Sequence, residues 1–192
     1  MPRYFTIPIS TARLILRRLQ PDDATALQRY RARPDVARYQ SWETYTMADA
    51  STMIAAMAEA EPGVAGTWFQ LAIVEQTSGA LVGDCGLHCS GEDDRLMELG
   101  ITLAPEAQGR GYAGEALTAV IVFLFTQLAK HRICAVTDAE NTAAIALFRR
   151  LGFRQEATFI EHLWFKGRWS SECVFALLRA EWSQPHPTRP IN

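Results

Sequence analysis

Cysteine is sparse in this chain, an excess of one charge is lacking, and no stretch approaches a membrane-spanning run. The 192 residues hold four cysteines, Cys85, Cys89, Cys134 and Cys173, too few for a disulfide-stapled scaffold at this length. Cys85 and Cys89 sit four apart in what reads as a strand, so they share a face; with no second close pair, no metal site is expected. Nothing orients a base toward any of these thiols, so none is nominated as a nucleophile. Nineteen basic residues face 21 acidic ones, a net charge of -2. The basic field that a nucleic-acid binder uses to displace counterions is missing, so no nucleic-acid partner is expected. The most apolar helix candidate, residues 116–128, is flanked by Glu115 and Lys130 and interrupted by Thr118, Thr126 and Gln127. It falls short of the ~18 apolar residues of a span and reads as a core helix, so no membrane partner is expected. The opening MPRYFTIPIS lacks the basic start and continuous apolar run of a secretory signal. These absences together predict a cytoplasmic protein with reduced thiols.

What is present suits one globular domain. Hydrophobic residues make up 48% and charged residues 21%, and a chain of 192 residues can bury one substantial core. Residues 12–18 read as a strand, and Pro21-Asp22-Asp23 opens a helix to about Tyr30. A short helix restarts at Pro34, and Thr46 with Asp49 resembles a capping arrangement for a helix to about Ala60. Three strands are predicted over 67–75, 80–89 and 96–103, joined by tight hairpin turns. A helix over about 111–128, a strand over 131–137, a helix over about 141–150 and a final hairpin over about 154–165 and 169–178 follow. The fold class is mixed α+β, with a single domain over 1–182 and a proline-rich tail over 183–192 expected to fray.

The central chemical signal follows the third strand, in Pro105-Glu106-Ala107-Gln108-Gly109-Arg110-Gly111-Tyr112-Ala113-Gly114. Two glycines one residue apart let backbone N–H groups approach an anion, and a helix starting there adds the positive end of its dipole. A phosphate or diphosphate suits the pattern; a tight strand-to-helix turn that needs small residues fits the glycines equally. A P-loop would carry Gly-Lys-Ser or Gly-Lys-Thr before its helix, and Arg110-Gly111-Tyr112 does not. Gly109, Gly111 and Gly114 match a dinucleotide fingerprint in spacing, but its ribose-binding acid could only be Asp138, which reads as easily as a turn residue. The preceding antiparallel hairpins also argue against a doubly wound nucleotide fold.

Two spaced signatures narrow the choice. Gln108, Gly111 and Ala113 fit the pattern Gln or Arg, two residues, Gly, one residue, Gly or Ala. Asn141, Ala144, Leu147, Gly152 and Phe153 fit Asn-x-x-Ala-x-x-Leu-x-x-x-x-Gly-Phe. With these, and with Met97-Glu98-Leu99-Gly100-Ile101, Tyr112-Ala113-Gly114-Glu115-Ala116-Leu117 and Trp164-Phe165-Lys166-Gly167, the chain resembles the GCN5-related N-acetyltransferase superfamily. Within it, the likeness is to the ribosomal-protein alanine N-acetyltransferase type, over about residues 11–182. The resemblance implies the acyl-CoA N-acyltransferase fold, a mostly antiparallel splayed sheet with helices on both faces, and acetyl-CoA as cofactor. It implies that the backbone of Ile101, Thr102 and Leu103 pairs with the pantetheine arm. Gln108, Gly109, Arg110, Gly111, Tyr112, Ala113 and Gly114 would wrap the pyrophosphate, Asn141 would bond the arm, and Ala144 and Phe148 would line the channel. Read alone, Asn141 is as good a helix cap, Phe148 a core residue and Arg110 an exposed loop arginine.

An amide made from a thioester requires a deprotonated amine, a stabilised oxyanion and a departing thiolate. Members of the superfamily mostly transfer directly within a ternary complex. The resemblance makes Glu98 the candidate base, directly or through water; an ion pair or simple exposure is the competing reading. Many members carry a tyrosine where this chain has Phe148, and the ribosomal type often a serine where it has Ala144. Neither residue here can donate a proton, which leaves Tyr112, Tyr39 and His162 as substitutes. The oxyanion would fall to a backbone N–H near residues 99–101. His88, near a strand end, reads as a satisfied or exposed imidazole. Tyr39, Trp42, Trp164 and Trp169 are candidate walls of the acceptor pocket. The expected partner is an amine acceptor, a protein N-terminus or a small molecule, and Glu43, Glu98 and Glu161 allow a cationic one. A homodimer is compatible with the family. A non-catalytic acyl-CoA sensor is the alternative that Phe148 and Ala144 keep open.

Overall fold

The protein is described by a computed structural model over residues 7–182, so the tail expected to fray lies outside the described residues. Among the described residues eight strands are present: β1 (Ile9–Ser10), β2 (Leu14–Arg18), β3 (Trp68–Glu75), β4 (Leu81–Cys89), β5 (Leu96–Leu103), β6 (Arg132–Asp138), β7 (Arg154–Phe165) and β8 (Arg168–Leu178). Six helices accompany them: α1 (Ala24–Arg31), α2 (Pro34–Ala37), α3 (Met47–Glu59), α4 (Tyr112–Thr126), α5 (Thr142–Arg150) and α6 (Arg179–Trp182). The strands form one sheet in the order β1-β2-β3-β4-β5-β6-β8-β7, antiparallel except where β5 meets β6. Local chemistry accounts for the helix ends. Thr46 and Asp49 form the expected capping box, with Thr46 N–H donating to Asp49 Oδ2 at 2.7 Å and Asp49 N–H to Thr46 Oγ1 at 3.2 Å. Gly152, at φ 84°, turns the chain out of α5 in the left-handed conformation. Two short elements, β1 and α6, are added to those expected from the sequence; two and four residues are too few to show a period.

Every interior residue of β3 is buried, as is nearly all of β4, which requires cover on both faces of the sheet. Tyr30 and Arg31 bring α1 onto β4, and α4 packs against β1, β2 and β5. The feature that positions the site is an interruption. Strands β5 and β6 pair in parallel through Leu96–Arg132, Met97–Ile133 and Glu98–Cys134 only. Beyond Glu98 and Cys134 no ladder joins them, and Val136, paired with β8 but not with β5, stays 41% exposed.

Candidate active site

The split between β5 and β6 opens into two cavities. One, of about 390 Å³, is bounded by α1, α3, β3 and β5. The other, of about 720 Å³, lies between the loop before α4 and the face of α5. Ile101, Thr102, Asn141, Ala144, Tyr39 and Gln40 line both, so the two spaces meet at the mouth of the split.

The loop on the larger cavity is held open and rigid. Gly109 (φ 71°) and Gly111 (φ 82°) occupy the left-handed region. A Cβ built on Gly109 would have no heavy atom within 4 Å. Gly111 caps α4 without a side chain, and the first helical bond is Glu115 N–H to the Gly111 carbonyl at 3.1 Å. The N–H groups of Tyr112, Ala113 and Gly114 therefore have no helical acceptor and sit at the positive end of a 15-residue helix. That is a cradle for a diphosphate. Its supports come from distant strands. Tyr112 is buried and donates its hydroxyl to Glu75, while Arg13 and Arg110 lie over its ring at 4.6 and 4.7 Å. Glu115 accepts from Arg13 Nε at 2.7 Å, and Gln108 Nε2 donates to the Leu103 carbonyl at 3.1 Å.

Gln108, Gly109, Gly111, Tyr112, Ala113, Gly114 and Leu103 all line the larger cavity. Arg110 does not: its guanidinium is turned to Glu75 at 3.0 Å, a salt bridge that fixes the loop. The arginine on that cavity wall is Arg150, in the last turn of α5. Sequence reasoning passed over it because a basic residue in a last turn already complements the helix dipole. Asn141 is a cap and a wall residue at once. Its Oδ1 accepts from Ala144 N–H at 3.1 Å, and among the described residues its amide nitrogen has no partner. Ala144 and Phe148 line the smaller cavity, and Phe148 also packs on Phe153 and Phe175 at 5.4 and 5.6 Å.

Strand register builds the smaller cavity. Gln70 lies opposite Gly86 and Gly86 opposite Gly100; one step along the same face, Trp68 lies opposite His88 and His88 opposite Glu98. Nothing stands within 4 Å of a Cβ built on Gly100, so the floor is open there. Glu98 thus borders the cavity on its own face but is not among the residues that line it. It is half-buried, and loss of water raises its carboxyl above the usual range; Glu172 adds to the rise and His88 opposes it. Cys134, directly opposite Glu98, has its thiol raised by burial and then by Glu98.

Of the substitute acids, Tyr112 is committed to Glu75. His162 pairs with Glu172 at 2.7 Å and lines neither cavity. Tyr39 stands where the cavities meet, its hydroxyl 3.4 Å from the Glu140 carbonyl. Trp42 is a wall residue, whereas Trp164 and Trp169 are not; they pack edge to face at 5.5 Å on the exposed hairpin. Sequence reading missed Arg31, Tyr45, Met53, Met57 and Trp68 as wall residues, since only the tertiary fold brings them to Gly100. Beneath them, buried Asp84 accepts hydrogen bonds from Tyr30, Arg31 and Gln70. Arg31 is pulled two ways: burial disfavours its charge, but Asp84 outweighs this and raises its pKa. Among the described residues, no cluster of three metal-ligating side chains occurs and no helix is long and apolar enough to cross a membrane.

Comparison with known proteins gives a consistent result. Residues 13–154 match the model of the acetyltransferase (GNAT) domain. The chain is 29% identical over 174 residues to the uncharacterized N-acetyltransferase p20 of Bacillus licheniformis, covering 90% of this chain and 97% of that one. It is 26% identical to the spermidine N(1)-acetyltransferase of Escherichia coli K12 over 114 residues, 53% of this chain and 61% of that protein. The crystal structure of a GNAT-family acetyltransferase from Bacillus anthracis superposes with a TM-score of 0.82 at 26% identity, over 91% of this chain and all of that one.

Proposed function

We propose that this chain, which belongs to the GNAT acetyltransferase family and is an acetyl-CoA-dependent N-acetyltransferase, transfers acetyl directly to a primary amine held in the smaller cavity. The observation that carries the reading is the meeting of two cavities at the β5–β6 split beside Glu98. Acetyl-CoA supplies an activated acyl group as its thioester. The cradle of residues 108–114 suits its diphosphate, with Arg150 as a further cation. The free backbone edge of Ile101, Thr102 and Leu103 and the open amide of Asn141 suit the amide-bearing arm. At the border of the smaller cavity, Glu98, directly or through water, takes one proton from the incoming ammonium, and its raised pKa brings it closer to neutrality, where a base is most effective. The neutral nitrogen then forms the C–N bond, the C–S bond breaks, and the nitrogen's second proton leaves with the thiolate. No fixed acid is required for that last transfer, which accommodates Phe148 and Ala144. Tyr39, at the meeting of the two cavities, is one hydroxyl placed to assist.

The test is Glu98→Gln, assayed by thiol release and by the mass of the acetylated amine. Removing a general base lowers kcat by about 10²–10⁴-fold. The expected result is a loss of that order with an unchanged dissociation constant for acetyl-CoA. Retained turnover with an unchanged pH profile sinks the assignment.

A further inference from the structure

The walls of the smaller cavity carry information about the acceptor. No carboxylate lines it; its single charged wall residue is Arg31, which Asp84 neutralises from below. The bordering acid is Glu98, whose place on the face suits one ammonium only. Five aromatic rings line the space, Tyr39, Trp42, Tyr45, Trp68 and Phe148, and each is already packed against a cation or another ring, Phe148 against Phe153 and Phe175. The Arg31 guanidinium lies over Trp42 and Tyr45 at 4.3 and 5.1 Å, Arg38 over Tyr39 at 5.0 Å, and His88 stacks on Trp68 at 4.9 Å. A second ammonium would therefore meet no carboxylate on the wall and would be desolvated beside the guanidinium groups of Arg31 and Arg38, which already lie over three of the rings. Other acids nearby already have partners: Glu140 pairs with Arg38 and Arg168, Asp35 with Arg33, and Glu172, which acts on Glu98, with His162. The remaining walls, Met53 and Met57 among them, are apolar and adaptable.

We infer that the acceptor is a singly charged primary amine on an aromatic or large apolar body, and that polyamines are rejected. The proposal rests on the acetyl-transfer reading. It separates this chain from the spermidine acetyltransferases it resembles in part. A free arylalkylamine and a polypeptide N-terminus bearing an aromatic first residue present the same chemistry.

The full chain is given acetyl-CoA with 2-phenylethylamine, with a short peptide beginning in phenylalanine, or with spermidine, and kcat/KM is measured for each. The expected result is that at least one aromatic amine exceeds spermidine by about tenfold or more, the order that a mismatched pocket imposes; the better arm identifies the source. Spermidine equal to or better than both aromatic amines overturns the inference and leaves acetyl transfer intact. Binding of acetyl-CoA with no amine acetylated overturns the underlying reading instead. Met53→Glu, which places a carboxylate in the wall, is expected to narrow the preference by raising spermidine turnover. A variant that folds and binds acetyl-CoA but leaves the preference unmoved also counts against the inference.

Discussion

Glu98 meets two opposed demands. Its partial burial, which raises its pKa toward the working range of a base, disfavours the ionised carboxylate in the folded protein. Because the folded pKa lies above the unfolded one, stability is lost as pH rises from the unfolded value through the folded one. Thermal melting of Glu98→Gln should therefore match wild type near pH 4 and equal or exceed it near pH 8, about where model carboxylates are protonated and ionised respectively. A variant less stable than wild type at the higher pH contradicts a desolvated carboxylate. His88 lies opposite and lowers the Glu98 pKa, so His88→Asn should move the acidic limb of the kcat/KM profile to higher pH. Gly100 offers a further test on the same face. With open space above its Cα, Gly100→Leu should raise the KM for the amine while the KM for acetyl-CoA changes little. At this scale the sequence was legible where spacing is local: Gln108 to Gly114 and Asn141 to Phe148 are short continuous stretches of chain, and most of the residues singled out in them line the cavities. Trp68, Gly86 and Gly100 meet only through strand pairing, and Arg110 and Arg150 exchange places through contacts with Glu75 and α5 that no local pattern encodes.

Elements decide how firmly the two cavities are walled. The loop before α4 needs left-handed backbone at Gly111, where a side chain costs about 1–2 kcal/mol and would approach Arg13. Gly111→Val is expected to abolish acetyl-CoA binding by calorimetry while far-UV circular dichroism stays native; retained binding means that the cradle lies elsewhere. Across the molecule, the β7–β8 turn is fastened to the wall of the smaller cavity by Lys166, whose Nζ donates to the carbonyls of Ala37 and Trp42, both at 2.6 Å. Lys166→Met should loosen residues 37–42 and raise the amine KM without changing the KM for acetyl-CoA. The order of the longer strands and helices could be read in advance, since each had its period and its turn residues, whereas β1 and α6 were too short to show one. The split between β5 and β6 could not be read from periodicity, because alternation along a strand says nothing about where two strands part; only the family resemblance suggested it.

The whole molecule joins these parts through its core. Asp84 is 1% exposed and anchors Tyr30, Arg31 and Gln70, which ties α1 to the sheet under the smaller cavity. Breaking such a pair leaves a buried guanidinium uncompensated, so Asp84→Ala should destabilise global unfolding in urea by about 3–5 kcal/mol. Above that anchor, two cavities that open onto each other allow both substrates to be bound together. A covalent relay finds little support in the thiols: Cys85, Cys89 and Cys173 are buried, and Cys134, beside Glu98, is held protonated by its raised pKa. Initial rates measured while both acetyl-CoA and the amine are varied test this most directly. Direct transfer predicts double-reciprocal lines that intersect, whereas parallel lines would mean that the acetyl group passes through the protein before the amine arrives.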